Sequence, residues 1–237
     1  MPDYPAIERK LLSVLETARR PVAVTYSDTE PSGIPRFAGS QPSSCSFWRL
    51  AAGGRSFYTV PSDHFNCPVG SYTHNTLTPE KMPELEQTLG LMAGIGYIRM
   101  EEIPGVFRLP ATPRFVLYTP LAETPGTPSA VLAAGKPGRL MMLTEAANRA
   151  GALSQLPMLG RPTCMALPAA LEHGMVTSAG CIGNRVYTEI GDDELYVVLR
   201  GSDLEKIAAE VDTILSANQT LTEFHRERRA TLTRISA

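Results

Sequence analysis

The stretch Arg161-Pro-Thr-Cys164 through Cys181-Ile-Gly-Asn-Arg-Val-Tyr-Thr188 has an echo earlier in the chain, from Cys45 to Thr73. In the later copy Cys164 is followed by Met-Ala-Leu-Pro-Ala-Ala-Leu-Glu-His-Gly174, then Met-Val-Thr-Ser178, then Cys181. In the earlier copy Cys45 leads into Ser-Phe-Trp-Arg-Leu-Ala-Ala-Gly-Gly54, then Ser-Phe-Tyr-Thr-Val60, then Cys67-Pro-Val-Gly-Ser-Tyr-Thr73. Each copy reads as a helix ended by glycine, a short β-rich run, and a glycine-containing loop that carries the second cysteine. Upstream, Pro21-Val-Ala-Val-Thr-Tyr26 is matched by Pro113-Arg-Phe-Val-Leu-Tyr118, and each precedes a cluster of Glu, Pro and Gly, at 30–35 and 123–128. The expectation is a mixed α/β (α+β) fold in one internally duplicated domain over 1–237. Two pseudo-symmetric halves, about 5–93 and 97–217, would share sheet covered by helices.

The remaining elements follow from periodicity and punctuation. Apolar residues at three-to-four spacing predict a helix from Pro5 to Ala18, and Thr78 with Pro79 opens a second through Ala93. Strands are expected at Val22–Tyr26, Ser56–Val60, Tyr97–Met100, Arg114–Thr119, Val131–Ala134, Leu140–Leu143 and Leu195–Leu199. Thr144 would cap a helix to about Leu153. Ser202-Asp-Leu-Glu205 reads as a capping box for a helix through Leu215, with a separate last helix over Thr220–Thr233.

The 237 residues carry 22 basic and 24 acidic side chains, so no net field recruits nucleic acid or an acidic membrane surface. No apolar run approaches a membrane span. Met1-Pro-Asp-Tyr-Pro has an early acid and no apolar run, so export is not expected. A cytoplasmic location follows, where thiols stay reduced. The four cysteines are then ligands, nucleophiles or buried core. Their spacings match no local cluster motif and contain no Cys-x-x-Cys pair.

A cysteine at a helix start is expected to gain thiolate character from the free N–H groups and the dipole. The glycines near the second cysteines, Gly70, Gly180 and Gly183, let backbone approach and donate to a bulky group. If the halves are related by a pseudo-two-fold, Cys45, Cys67, Cys164 and Cys181 converge, and four thiolates among backbone donors suit a [4Fe–4S] cluster. A metal-free enzyme with Cys45 or Cys164 as nucleophile stays open, as do inert core cysteines in a small-molecule binding or regulatory module. His64 and His74 read either as exposed loop histidines or as ligands and proton carriers. His173 suits a helix C-terminus. Arg185, beside Asn184, either holds an anion or cluster sulfur or makes a plain salt bridge. Trp48, Tyr72 and Tyr187 are simplest as packing residues. No dinucleotide fingerprint, P-loop, zincin motif or nucleophile elbow is present.

The segments Pro21–Tyr26, Cys45–Tyr58, Cys67-Pro-Val-Gly70 and Ser178–Thr188 resemble a widespread prokaryotic family, domain of unknown function one hundred and sixty-nine, over about residues 5–217. The resemblance implies a cytoplasmic bacterial or archaeal protein with those cysteine and glycine segments as its signature. It implies no activity. The residues themselves lead to a cytoplasmic iron–sulfur protein. Cys45, Cys67, Cys164 and Cys181 would be ligands, supported by Arg185 and the backbone near Gly70 and Gly183. It would act in electron transfer or as a redox or lyase enzyme on a small molecule, with Arg185 and His64 as catalytic candidates. Its partners would be that substrate or a redox protein, and a homodimer is left open.

Overall fold

A computed structural model describes residues 2–235. Helix α1 (Tyr4–Leu15) starts on the Asp3 carboxylate, which accepts from the Ala6 N–H at 2.9 Å. It turns Ile7, Leu11, Val14 and Leu15 inward. Strand β1 (Val22–Ser27), helix α2 (Ser44–Ala52), strand β2 (Phe57–Thr59) and helices α3 (Pro68–Thr73) and α4 (Met82–Gly94) lead to β3 (Phe115–Pro120). Strand β4 (Ala130–Gly135), helices α5 (Pro137–Arg149) and α6 (Ala166–His173), strand β5 (Val176–Ser178), helix α7 (Ile182–Thr188), strand β6 (Leu195–Arg200) and helix α8 (Leu204–Ile235) complete the chain.

The strands form one antiparallel open sheet in the order β2-β3-β1-β4-β6-β5. Alternation along them sorts the core into two layers. Val22, Val24, Val116, Tyr118, Leu132 and Val198 pack under Phe47, Trp48 and Leu167 of α2 and α6. The opposite face, with Ala23, Val131, Ala133, Val197 and Leu199, lies under α1, α5 and the first turns of α8. The cysteine segments all occupy the α2–α6 side.

Set β4, β6 and β5 against β1, β3 and β2, and the sheet order reads the same from either edge. Around each cysteine pair the elements also match: α2-β2-α3 in one half, α6-β5-α7 in the other. The match of Pro21–Tyr26 to Pro113–Tyr118 does not join counterparts. Those segments are β1 and β3, antiparallel neighbours with Val24 opposite Tyr118. By strand order the counterpart of β1 is β4. The three-strand units therefore divide between 120 and 130, not near 95.

Three element expectations change. Leu140–Leu143 is inside α5, because Pro137 starts a helix that buries Leu140, Leu143, Ala146 and Ala147 on one side. Tyr97–Met100 finds no strand partner. Gly96, at φ +74°, turns the chain out of α4, and Tyr97 and Ile98 face a cavity on the way to a 3-10 turn at Met100–Gly105. The two expected C-terminal helices are one, because residues 216–219 hold no proline or glycine to break it.

Candidate functional site: a cavity with four thiols

Cys45, Cys67, Cys164 and Cys181 all line one cavity of about 390 Å³. All four are free thiols. Cys45 sits in the first turn of α2, and Cys164 is the middle residue of the 3-10 turn Thr163–Met165 that leads into α6. The second cysteine of each pair was expected in a loop. Each instead caps a helix. Cys67 Sγ accepts from the Gly70 N–H at 3.3 Å at the start of α3, and Cys181 Sγ accepts from the Asn184 N–H at 3.4 Å at the start of α7. Short local bonds hold the pairs in register. The Cys67 N–H reaches the His64 carbonyl at 3.0 Å, and His64 Nδ1 pairs with the Ser44 hydroxyl at 3.0 Å, beside Cys45. The Cys181 N–H donates to Thr163 Oγ1 at 2.5 Å, beside Cys164.

The two buried thiols are also touched from the other half. Cys45 Sγ lies 2.8 Å from Ser43 Oγ, and the Asn184 side chain of α7 packs beside it. Cys164 lies against the Thr73 hydroxyl of α3. Asn184 is 1 % exposed, and neither side-chain amide atom completes a hydrogen bond. That leaves a buried amide beside a sulfur, which costs free energy unless the sulfur becomes a strong acceptor.

Burial decides the thiol protonation. It pushes Cys45 up to about 11, with the neighbouring Cys67 and Cys181 acting the same way and the adjacent Ser43 hydroxyl and Asn184 amide opposing. Burial pushes Cys164 well above the ordinary thiol range as well, reinforced by Cys67 and Cys45. The helix-start expectation of depressed values at these two cysteines is overturned. A helix terminus is worth only about 0.3–1 kcal/mol at a surface site, and desolvation of a buried thiolate outweighs it.

The other candidates take different places. Arg185 is outside the cavity wall. Its guanidinium donates to the carbonyls of Gly191 (2.9 Å), Ala179 (2.6 Å) and Glu194 (3.1 Å), tying the loop before β6 to the Cys181 segment. The Gly70 N–H donates to Cys67 Sγ, and the position admits no side chain. Gly183 lines the cavity, but it is the next N–H, of Asn184, that reaches Cys181.

His64 and His74 are not exposed. They stack beneath the thiols at 5.8 Å between ring centroids, with Tyr26 edge-on to His74. Burial lowers His64 to about 3, helped by the adjacent His74, and lowers His74 to about 4. Both are neutral in the folded protein. Sequence reasoning missed the far wall of the cavity. Leu85, Leu89 and Met92 of α4 supply it, together with Ile98, Ile103 and Val106. Their signal was present in the i, i+4, i+7 spacing of the α4 residues.

The fold and site define a mixed α/β protein whose two topological halves each bring two cysteines to one cavity. The chain belongs to DUF169, the uncharacterised ArCR family, whose profile matches residues 10–210. No curated protein and no solved structure matches it.

Proposed function

We propose that this is an iron–sulfur protein in which Cys45, Cys67, Cys164 and Cys181 ligate one [4Fe–4S] cluster. The observation that carries the reading is the convergence of all four cysteines, two from each half, on a single cavity. The surroundings fit the group. Each sulfur has an N–H or hydroxyl neighbour, and hydrogen bonds to sulfur are one way a protein sets cluster potential. The unpaired Asn184 Nδ2 beside Cys45 is a donor that a metal-bound thiolate would accept from. Among the described residues no three His, Cys, Asp or Glu side chains are gathered closely enough to hold one metal ion. A cluster gives each thiolate its own iron, so its ligands stand further apart.

When bound, such a cluster supplies one-electron chemistry. Cys45, Cys67, Cys164 and Cys181 would hold it, and with all four as ligands no iron is left open, which suits electron transfer. A small-molecule redox or lyase enzyme would need one of the four cysteines to stand aside and leave an iron open to substrate. The metal-free nucleophile reading is weaker, because the thiols it needs are held protonated by burial. Free thiols suit a reducing cytoplasm. Among the described residues no helix is long and apolar enough to cross a membrane.

The test is anaerobic purification followed by visible absorption and analysis for iron and acid-labile sulfide. A brown protein with about four irons and four sulfides per chain supports the proposal. Loss of that iron in Cys45→Ser and in Cys164→Ser assigns ligands from both halves. A colourless protein that still holds less than about one iron after anaerobic reconstitution overturns it.

A further inference from the structure

We infer that the part of the cavity facing away from the thiols binds an uncharged, largely apolar small molecule, beneath a cap formed by residues 82–106. The inference rests on the cluster reading only for the chemistry done to that molecule, not for its binding. Leu85, Leu89 and Met92 project into the cavity from one side of α4, and Ile98, Ile103 and Val106 continue the same wall. The volume of about 390 Å³ spans the whole cavity, thiol end included; without a cluster it lies within the range that encloses a small organic ligand, and beside one it leaves room for a single ring or short chain.

The charges at the cavity are already committed to one another. Glu102 accepts from Arg161 at 2.9 Å and from Arg99 at 3.0 Å, and the Arg161 guanidinium lies 5.0 Å from the Tyr97 ring centroid. Those pairs are exposed and cheap to break, so what disfavours a charged ligand is the loss of its own hydration against the apolar wall. A neutral ring or short chain avoids that loss. The same contacts fasten the cap. The Glu102–Arg161 pair joins it to the loop before Cys164, and the Tyr97 hydroxyl accepts from the Ile182 N–H of α7 at 3.4 Å. Leu85 is the one buried residue of α4, so little apolar burial opposes its lifting to admit a ligand.

The experiment titrates the full chain with N-phenyl-1-naphthylamine, a neutral dye that brightens in apolar surroundings, alongside 1-anilinonaphthalene-8-sulfonate, the same skeleton carrying a charge. Saturable one-to-one binding of the neutral dye is expected, at least about ten-fold tighter than the sulfonate. Leu89→Glu and Ile103→Glu should each weaken it by about ten-fold or more. Met92→Trp, which stays apolar and fills the space, should do the same and guards against misfolding of the charged variants.

The titration is repeated on the variant with all four cysteines changed to Ser, with iron counted in both proteins. Dye binding that depends on the cap in iron-free protein supports the inference even if the cluster reading fails. In iron-free protein, no saturable binding, binding indifferent to all three cap variants in folded protein, or equal affinity for the sulfonate overturns it.

Discussion

A Cβ on Gly70 would lie 2.5 Å from Ser44 Oγ and 2.9 Å from Cys67 Sγ, so the floor of the cavity closes only because that atom is absent. Ser44 cannot yield freely, since its hydroxyl holds His64. Gly70→Ala is therefore expected to cost about 1–3 kcal/mol by denaturant unfolding and to lower iron retention, while Gly183→Ala, whose Cβ would meet only the Tyr187 ring at 3.6 Å, leaves both nearly unchanged. Equal losses in the two variants would contradict this account.

The histidine beneath the floor carries a second consequence. His64 and His74 have folded pKa values of about 3 and about 4, below the ~6.5 of an unfolded histidine. The unfolded chain thus takes up protons first. Their contribution is fully present above about pH 6.5 and is lost as pH falls toward the folded values, roughly 2 kcal/mol per histidine by pH 5. Replacing both with Gln should flatten the stability profile between pH 5 and 7 by that amount. A profile as steep as the parent's would show that other groups set it. At this scale the cysteines were legible, being scarce residues at repeated positions. The histidines were not, because besides the nearby Thr59 the groups that bury and bond His64, Ser44 and Tyr118, come from other elements, α2 and β3.

Among the elements, α4 is distinctive in being apolar on two sides. Leu85, Leu89 and Met92 face the cavity, while Leu91 and Ile95 are 66 % and 71 % exposed. With only Leu85 of it buried, α4 leans on α3, and the Glu102–Arg161 pair of the 3-10 turn that follows ties the rest of the cap to the loop before Cys164. Exposed ion pairs contribute about 0.2–1 kcal/mol. Glu102→Gln should accordingly speed amide exchange across residues 82–106 by about two- to five-fold, with exchange in β1 and β4 unchanged. Acceleration spread over the sheet would mean global destabilisation, not release of a cap. Legibility varied for a physical reason. The helical repeat of α1 and the β-branched runs of β1 and β6 carry local signals that survive packing. Leu140–Leu143 is too short an apolar run to separate strand from helix, and only Pro137, three residues earlier, decides it. Cys67 and Cys181 were not readable as caps, because cysteine is not among the side chains preferred there.

For the whole molecule, the duplicate cysteine plan led to the correct meeting place through a partly wrong alignment. Pairing β1 with β3 as counterparts failed because antiparallel neighbours on one face share a similar composition, and composition does not tell a neighbour from a repeat. The cysteine segments escaped that ambiguity, since each pair brackets its own short strand at matching edges of the sheet. This arrangement separates the stability of the fold from that of the site. One core layer fills the face under α1, α5 and α8 and contains no cysteine. The other seats Cys45 and Cys164 among aromatic and aliphatic side chains, Phe47, Trp48 and Leu167 among them. A group bound only by the folded state adds stability by mass action. Removing iron from the loaded protein with an oxidant and a chelator should therefore lower the melting temperature while leaving the far-ultraviolet circular dichroism intact at 25 °C. Cys45→Ser and Cys164→Ser proteins, which start without the full ligand set, should melt near the stripped parent and change little on the same treatment. Collapse of the secondary structure on iron removal would mean that the sheet depends on the cluster, contrary to the hydrophobic stabilisation expected from the cysteine-free layer under α1, α5 and α8.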